Sequence, residues 1–229
     1  MIDSHIHLGS FREWYFYNVT STVESINKLF KDFDGIVITT TDAVDNKGVF
    51  KALKSITVPH KFAVWATPCN ETEVRSFEFD QIKIHPAFSR VSFSDPLYDY
   101  ALELAEVRDV PIMVHTGGIP LTDYHHVIER AEEYPKINFI IGHMGGRLYQ
   151  HQWNCPIDVK SYKNIYVDTT MKILDWTLEH CERTIGSARM LFGSDYPIMH
   201  PNVGIEAIRS AKLNFDDIVH NTAEKLFLF

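Results

Sequence analysis

The chain has 229 residues, of which 45% are hydrophobic and 23% charged, and this balance excludes a disordered or fibrous protein. A formal net charge of -8 at pH 7, without clustered Lys or Arg, argues against a nucleic-acid surface and favours a small-molecule substrate. The sequence shows no long apolar run and no secretory-signal pattern, so we expect no membrane association. Its three cysteines are widely spaced, which favours a reducing compartment, the cytoplasm.

Eight short runs rich in β-branched and apolar residues alternate with segments of helical period. The predicted strands span residues 2–8, 35–41, 61–67, 81–85, 111–115, 138–143, 164–168 and 189–194. Strict alternation predicts a parallel sheet, and eight units favour a closed barrel over a doubly wound sheet, whose glycine-rich first turn is absent. We therefore predict an α/β protein, a single (β/α)8 TIM barrel domain over residues 1–229 that ends in a C-terminal helix.

The segment 96–108 illustrates the predicted helices. Ser94 or Asp95 can cap its start, before Pro96. Its apolar residues recur with helical spacing and predict one face packed on the sheet: Leu97, Tyr100, Ala101, Leu104, Ala105 and Val107. The last predicted helix, 214–229, packs inward through Ile218, Ala223, Leu226 and Phe227.

Two histidines, His5 and His7, lie one residue apart on the first predicted strand. Alternate residues of a strand share a face, so both imidazoles point the same way. The carboxyl end of a barrel strand is where active sites lie, and two imidazoles there can bind a divalent metal. The alternative is a pair of hydrogen-bonded core histidines.

Three further polar residues stand where later strands give way to loops: His115, His143 and Asp195. A parallel barrel brings the carboxyl ends of all its strands to one mouth, so these side chains can join His5 and His7 in a single site. The alternatives are a strand-end cap for Asp195 and a buried, backbone-bonded imidazole for His143.

Together with the segments GHMGG (142–146) and FGSDYP (192–197) and the ending NTAxxLF (221–227), these residues resemble the amidohydrolase superfamily. The resemblance spans the chain and is strongest to the branch of aminocarboxymuconate-semialdehyde decarboxylase-like enzymes. It implies that His5, His7, His115 and Asp195 bind one divalent metal, usually Zn²⁺ with Mn²⁺ as an alternative. It also implies that His143 lies nearby as a catalytic acid/base or oxyanion-stabilising group.

Such a metal lowers the pKa of bound water to about 7 and so supplies hydroxide at neutral pH. Asp195 can then accept a proton, and His143 can stabilise charge or protonate the leaving group. We expect hydrolysis of a C–O or C–N bond in a small molecule. Decarboxylation of a small unsaturated or aromatic acid is the alternative, and a catalytically silent metal-binding barrel is a third.

Lys83 and His85 share a face of the fourth predicted strand and are candidate substrate-binding residues. Lys83 can bind a substrate carboxylate or form an interior ion pair. Binuclear amidohydrolases suggest a further option, in which a carboxylated Lys83 bridges two metals. His85 is otherwise a polar residue that ends the strand before Pro86.

Three more candidate substrate contacts lie near strand ends: Trp14, Trp65 and Arg147. Trp14 belongs to an aromatic run, residues 14–17, that can wall a pocket at the barrel mouth or pin its loop to the first helix. The loops are short compared with those of larger members of the branch. A homodimer is a further alternative, because a partner subunit can complete a pocket that short loops leave open.

Overall fold

Eight parallel strands form the centre of the protein in a computed structural model, which describes residues 1–12 and 19–229. The strands are β1 (Ile2–His7), β2 (Gly35–Thr39), β3 (His60–Ala66), β4 (Gln81–Ile84), β5 (Ile112–His115), β6 (Phe139–Gly142), β7 (Ile165–Asp168) and β8 (Met190–Leu191). Each strand pairs in parallel with the next in chain order. The predicted (β/α)8 TIM barrel is confirmed.

Helices surround the strands and connect them. They are α1 (Val23–Leu29), α2 (Asn46–Leu53), α3 (Glu71–Arg75), α4 (Pro86–Ser89), α5 (Asp99–Arg108), α6 (His125–Glu133), α7 (Tyr149–Asp158), α8 (Asp175–Ile185), α9 (Pro201–Ser210) and α10 (Thr222–Phe227). A π-helical turn, Asp217–Asn221, precedes α10. Within the described ranges, every helix is too short or too polar to cross a bilayer.

The inside of the barrel is built in layers. A buried apolar cluster takes one residue from each strand except β4, and two residues of α10 pack against it: Ile2, Val37, Ala63, Met113, Ile140, Tyr166, Leu191, Ala223 and Phe227. Two positions further along β5 and β7 the inward residues become ionisable, since alternate residues share a face. Met113 is thus followed by His115, and Tyr166 by Asp168. The apolar cluster is the floor on which the polar layer rests.

The barrel closes between β1 and the residues that follow β8. Regular pairing ends at Leu191, earlier than the predicted strand end at 194. Three backbone hydrogen bonds continue the contact: from Ser4 N to Phe192 O (2.9 Å), from Asp195 N to His5 O (2.8 Å) and from His7 N to Tyr196 O (2.7 Å). The buried Asp3 carboxylate also accepts a bond from Ser194 N at 3.0 Å. This seam places residue 195 beside the strand that carries both histidines.

The helix α5 corrects one part of the sequence prediction. Of the two proposed caps, Asp95 is the one that caps the preceding 3₁₀ turn. Leu102 is buried, although the predicted apolar face did not include it. Leu97 and Val107 were predicted to pack inward, but they are 54% and 83% exposed. Leu97 lies in the 3₁₀ turn, whose geometry differs from that of the helix, and Val107 lies well to one side of the buried stripe.

This difference gives a matched pair of stability variants on one helix. Leu102→Ala removes a fully buried side chain and should lower the free energy of unfolding by about 2–5 kcal/mol. Val107→Ala should change it by less than about 0.5 kcal/mol, because the side chain is already in water. Urea unfolding followed by circular dichroism measures both. Equal effects of the two substitutions would contradict the packing of α5.

Candidate metal centre

Three buried side chains bring their donor atoms together at the mouth of the barrel. His5 and His7 come from β1 and Asp195 from the segment after β8, and their candidate ligand atoms lie within 4.8 Å of one another. Asp195 Oδ1 is 2.9 Å from His7 Nε2 and 3.6 Å from His5 Nε2. Two imidazoles and a carboxylate in this arrangement are a typical three-residue site for a divalent metal.

Hydrogen bonds on the far side of each imidazole fix its orientation. His7 Nδ1 donates to the Thr40 carbonyl at 2.6 Å, and His5 Nδ1 lies 2.8 Å from Asp168 Oδ2. A carbonyl only accepts, so a neutral His7 directs the lone pair of Nε2 at the Asp195 carboxylate. Two acceptors 2.9 Å apart repel each other unless a proton or a cation lies between them. The residues therefore fit a bound metal, with outer hydrogen bonds of the kind that metal sites use.

The backbone around Asp195 is shaped to allow this contact. Asp195 has φ +59°, a left-handed conformation that is unfavourable for a residue with a side chain. A Cβ atom on Gly193 would lie 2.9 Å from His5 Cβ and 2.8 Å from Thr170 Oγ1. Glycine at position 193 thus lets the segment after β8 approach β1 closely enough to form the site.

Asp168, at the end of β7, is a site residue that our sequence analysis missed. It is fully buried, and its two oxygens contact His5 Nδ1 at 2.8 Å and His143 N at 2.6 Å. Burial alone would raise the pKa of this carboxyl, but the hydrogen bond and charge of His5 outweigh it and hold the pKa well below its usual range. Its position at a strand end on the inward face was the available signal.

A second cluster of imidazoles lies beside His5, His7 and Asp195, which we call the metal group. His143 Nε2 is 2.9 Å from His115 Nδ1, and the His115 ring stacks on His85 with centroids 3.7 Å apart. Burial lowers the pKa of His143, and it lowers the pKa of His85 and His115 further. These imidazoles are accordingly neutral at pH 7. His115 lies outside the group formed by His5, His7 and Asp195, and its role as a ligand stays a prediction.

The GHMGG turn after β6 holds His143 in place. His143 and Met144 both have positive φ, and a Cβ atom on Gly146 would lie 2.9 Å from the Gly117 carbonyl carbon. The buried Lys172, which the sequence analysis did not single out, donates from Nζ to the Gly146 carbonyl at 2.7 Å. The turn is thereby tied to the loop that follows β7.

Lys83 lies directly against the metal group. Its buried ammonium is 2.8 Å from His5 Nε2, the nitrogen that a metal would use. Burial lowers the pKa of Lys83 to about 8. Within the described ranges no carboxylate oxygen lies within 4.0 Å of its ammonium, although the charges of Asp195 and Asp168 attract it and oppose this lowering of its pKa.

The other predicted substrate contacts are placed differently. Trp65 is buried, its Nε1 has no hydrogen-bond partner within the described ranges, and its ring is parallel to His85 at 5.5 Å. Arg147 is exposed just after the GHMGG turn. Trp14 lies outside the described residues. A cavity of about 660 Å³ opens nearby, lined by Arg12, Asp42, Ala43, Val44, Thr67, Ala87, Phe88, Ser89 and Arg90.

Comparison with known proteins supplies independent evidence. Residues 52–229 match the sequence model of the Amidohydrolase family. Among solved structures, a 5-carboxyvanillate decarboxylase from Sphingomonas paucimobilis superimposes with a TM-score of 0.74 at 9% identity, covering 100% of this chain and 99% of the other. At such identity the likeness concerns the fold.

Two further similar structures contain a metal. An amidohydrolase from Burkholderia multivorans with bound zinc has a TM-score of 0.74 at 11% identity, covering 100% of this chain and 99% of the other. A dihydroxybenzoic acid decarboxylase from Polaromonas sp. JS666, with bound manganese and the inhibitor 2-nitroresorcinol, has a TM-score of 0.75 at 14% identity. The match covers 99% of this chain and 96% of that one.

The metal group predicts the metal content of the purified protein. After zinc loading and desalting, we expect about one equivalent in the wild type and in the surface variant His220→Ala, and almost none in His5→Ala. Elemental analysis by mass spectrometry measures this. Two equivalents in the wild type that fall to one in Lys83→Met would instead support the carboxylated-lysine bridge, and an undiminished content in His5→Ala would remove His5 from the site.

Asp168 should act on the metal through His5. Asp168→Asn keeps the shape of the side chain but weakens the acceptor for His5 Nδ1, so we expect metal affinity to fall by about 10- to 100-fold. Asp216→Asn, on the surface, is the matched control. Competition with a chromogenic chelator gives both affinities, and equal affinities would show that Asp168 only caps β7.

Proposed function

This chain belongs to the Amidohydrolase family, and on that premise we propose that it is a metal-dependent enzyme that hydrolyses a C–O or C–N bond of a small molecule. The observation that carries the proposal is the group of His5, His7 and Asp195, whose donor atoms converge while outer hydrogen bonds hold both imidazoles. Three protein ligands leave further coordination positions free, which is typical of catalytic rather than structural metal sites.

His5, His7 and Asp195 would hold the metal, with His115 as a further candidate ligand. Zn²⁺ suits two imidazoles and a carboxylate best, and Mn²⁺ is the second choice. The zinc of the Burkholderia protein and the manganese of the Polaromonas protein support these two candidates. When bound, such an ion polarises the substrate and lowers the pKa of water.

His143 and His115 provide the route for protons. The 2.9 Å contact between His143 Nε2 and His115 Nδ1 lets the two rings share a proton. Because both are neutral at pH 7, the pair can accept a proton during attack and return it to the leaving group. The hydrogen bond from the backbone N–H of His143 to the Asp168 carboxylate keeps the His143 imidazole beside the metal group.

Cationic side chains at the mouth support an anionic substrate. Lys83 lies beside His5, and Arg12 and Arg90 line the 660 Å³ cavity together with Phe88. Phe88 contacts His85 at a ring-centroid distance of 4.2 Å and so connects the cavity to the imidazole cluster. A small carboxylate-bearing molecule matches these charges. The unpaired cysteines support a reducing compartment, and we place the enzyme in the cytoplasm.

Decarboxylation of an aromatic acid is the second candidate. The rings of Trp65, His85 and His115 are nearly parallel, with interplanar angles of 2° and 12° between neighbours, and form a stack that an aromatic substrate ring can extend. Two of the similar structures are decarboxylases of aromatic acids. Both reactions would use the same metal group.

A substrate screen with the zinc-loaded protein separates these functions. Lactones, esters and amides of small acids are assayed for proton release, and aromatic and muconate-like acids for carbon dioxide release. We expect turnover in the first set. Turnover in the second set alone would favour decarboxylation, and a metal-loaded protein inactive on both would favour a catalytically silent barrel.

Removal of the proton route tests the assignment of His143. His143→Gln should lower kcat by about 10²- to 10⁴-fold while the metal content stays at the wild-type level, because Gln cannot take up a proton. His220→Gln serves as the surface control. If kcat were unchanged, His143 would have no part in proton transfer.

A further inference from the structure

The outward face of α7 is apolar where a surface helix is ordinarily polar. Tyr149, Trp153 and Ile157 follow one another at four-residue intervals and are 63%, 45% and 48% exposed. The opposite face of the same helix packs into the protein through Gln152 and Cys155. The helix therefore has two packing faces, and among the described residues only the inner one is covered.

The neighbouring helix α8 extends this surface. Trp176 is 43% exposed and lies 5.9 Å from Tyr149 and 6.0 Å from Trp153, measured between ring centroids. His180 stacks on Trp153 at 3.7 Å. Four further exposed apolar side chains lie in neighbouring loops: Leu148 before α7, Met171 and Ile173 before α8, and Ile119 after β5, next to Gly118, which lies against Leu148. We call this set, with Tyr149, Trp153, Ile157 and Trp176, the aromatic face.

The size of the aromatic face fits a dimer interface. The exposed parts of its three aromatic and five aliphatic side chains amount to roughly 600 Å², given that a whole aromatic side chain buries about 150–250 Å². That is at the upper limit of apolar patches on monomers and approaches the roughly 800 Å² per partner of a standard interface, before any polar rim is counted. Tyr and Trp are also the residues enriched at the centres of interfaces.

The charges at the ends of α7 point to a second copy of the same chain as the occupant. Exposed Arg147 precedes the helix, and Asp158, which also accepts a hydrogen bond from the Tyr124 hydroxyl, ends it. In a two-fold arrangement whose axis is perpendicular to α7, the two α7 helices run antiparallel, which sets Arg147 opposite Asp158 of the partner subunit and Trp153 near the axis. For a chain of net charge -8, an uncharged centre with opposite charges at its rim avoids the repulsion that other faces would meet.

We propose that the chain forms a two-fold homodimer through the aromatic face, with α7 packed antiparallel against α7 of the partner subunit. This interface lies at one side of the barrel mouth, because Leu148 follows the GHMGG turn and Met171 follows the strand that carries Asp168. The proposal concerns assembly and is independent of the reaction catalysed.

Sedimentation velocity of the full chain tests the dimer. At about 10 μM, a typical concentration for detecting dimers of micromolar or tighter affinity, the wild type should sediment at twice the 26.4 kDa of one chain. Trp153→Glu should weaken association by about 30-fold or more, as expected for a central aromatic residue. Val107→Glu, on α5 and separated from α7 by α6, is the control and should stay dimeric. A monomeric wild type, or a Trp153→Glu variant that stays dimeric, overturns the proposal.

Cross-linking keeps the test decisive if Trp153→Glu does not fold. In a Cys69→Ser background, which removes the exposed native thiol, Trp153→Cys should form an interchain disulfide on mild oxidation because position 153 lies near the axis. Val107→Cys in the same background should not. Equally rapid cross-linking at both positions, or its absence at position 153, would contradict the antiparallel arrangement of α7.

Discussion

The backbone hydrogen bonds between β1 and residues 192–196 join the two ends of the barrel, and the candidate metal group depends on them. His7 and Asp195 are 188 positions apart in the chain, yet their side chains lie 2.9 Å apart because this seam closes the ring. Gly193 permits the close approach, and Asp195 accepts a left-handed backbone within it. The site is therefore a consequence of closure, and any change that opens the seam separates the ligands before it alters their chemistry.

The polar layer above the apolar floor is stable only as a connected network. His5, Asp168 and His143 satisfy one another, and the Thr40 carbonyl holds His7. Burying a carboxylate such as Asp168 costs free energy unless hydrogen bonds and opposite charge compensate for it. Lys83 adds a buried cation whose contact with His5 Nε2 uses the same lone pair as a metal. Metal binding and this lysine contact are thus alternatives, and metal binding would free Lys83 to meet an anionic substrate.

The sequence predicted those parts of the fold and site that follow from local periodicity. The barrel, the shared face of His5 and His7 and the position of Asp195 in the segment after the last strand all follow from alternation along parallel strands. The hydrogen bond of Asp168 to His5 did not, because a carboxylate at a strand end indicates a candidate site residue but does not show which imidazole it will bond. The contact of His115 with His143 depends on side-chain rotamers, and the exposure of Val107 depends on how α5 lies on the sheet. These are tertiary properties that a single sequence does not encode locally.

The short loops and the aromatic face have a common physical explanation. Most members of a barrel fold shape the mouth with loops, and a chain with short loops must leave it open or cover it in another way. Here the exposed Leu148 and Met171 lie on the two loops that also carry the GHMGG turn and follow Asp168. A partner subunit docked on this side would restrict those loops without adding chain length. These loops begin next to His143 and Asp168, so the proposed interface would border the site.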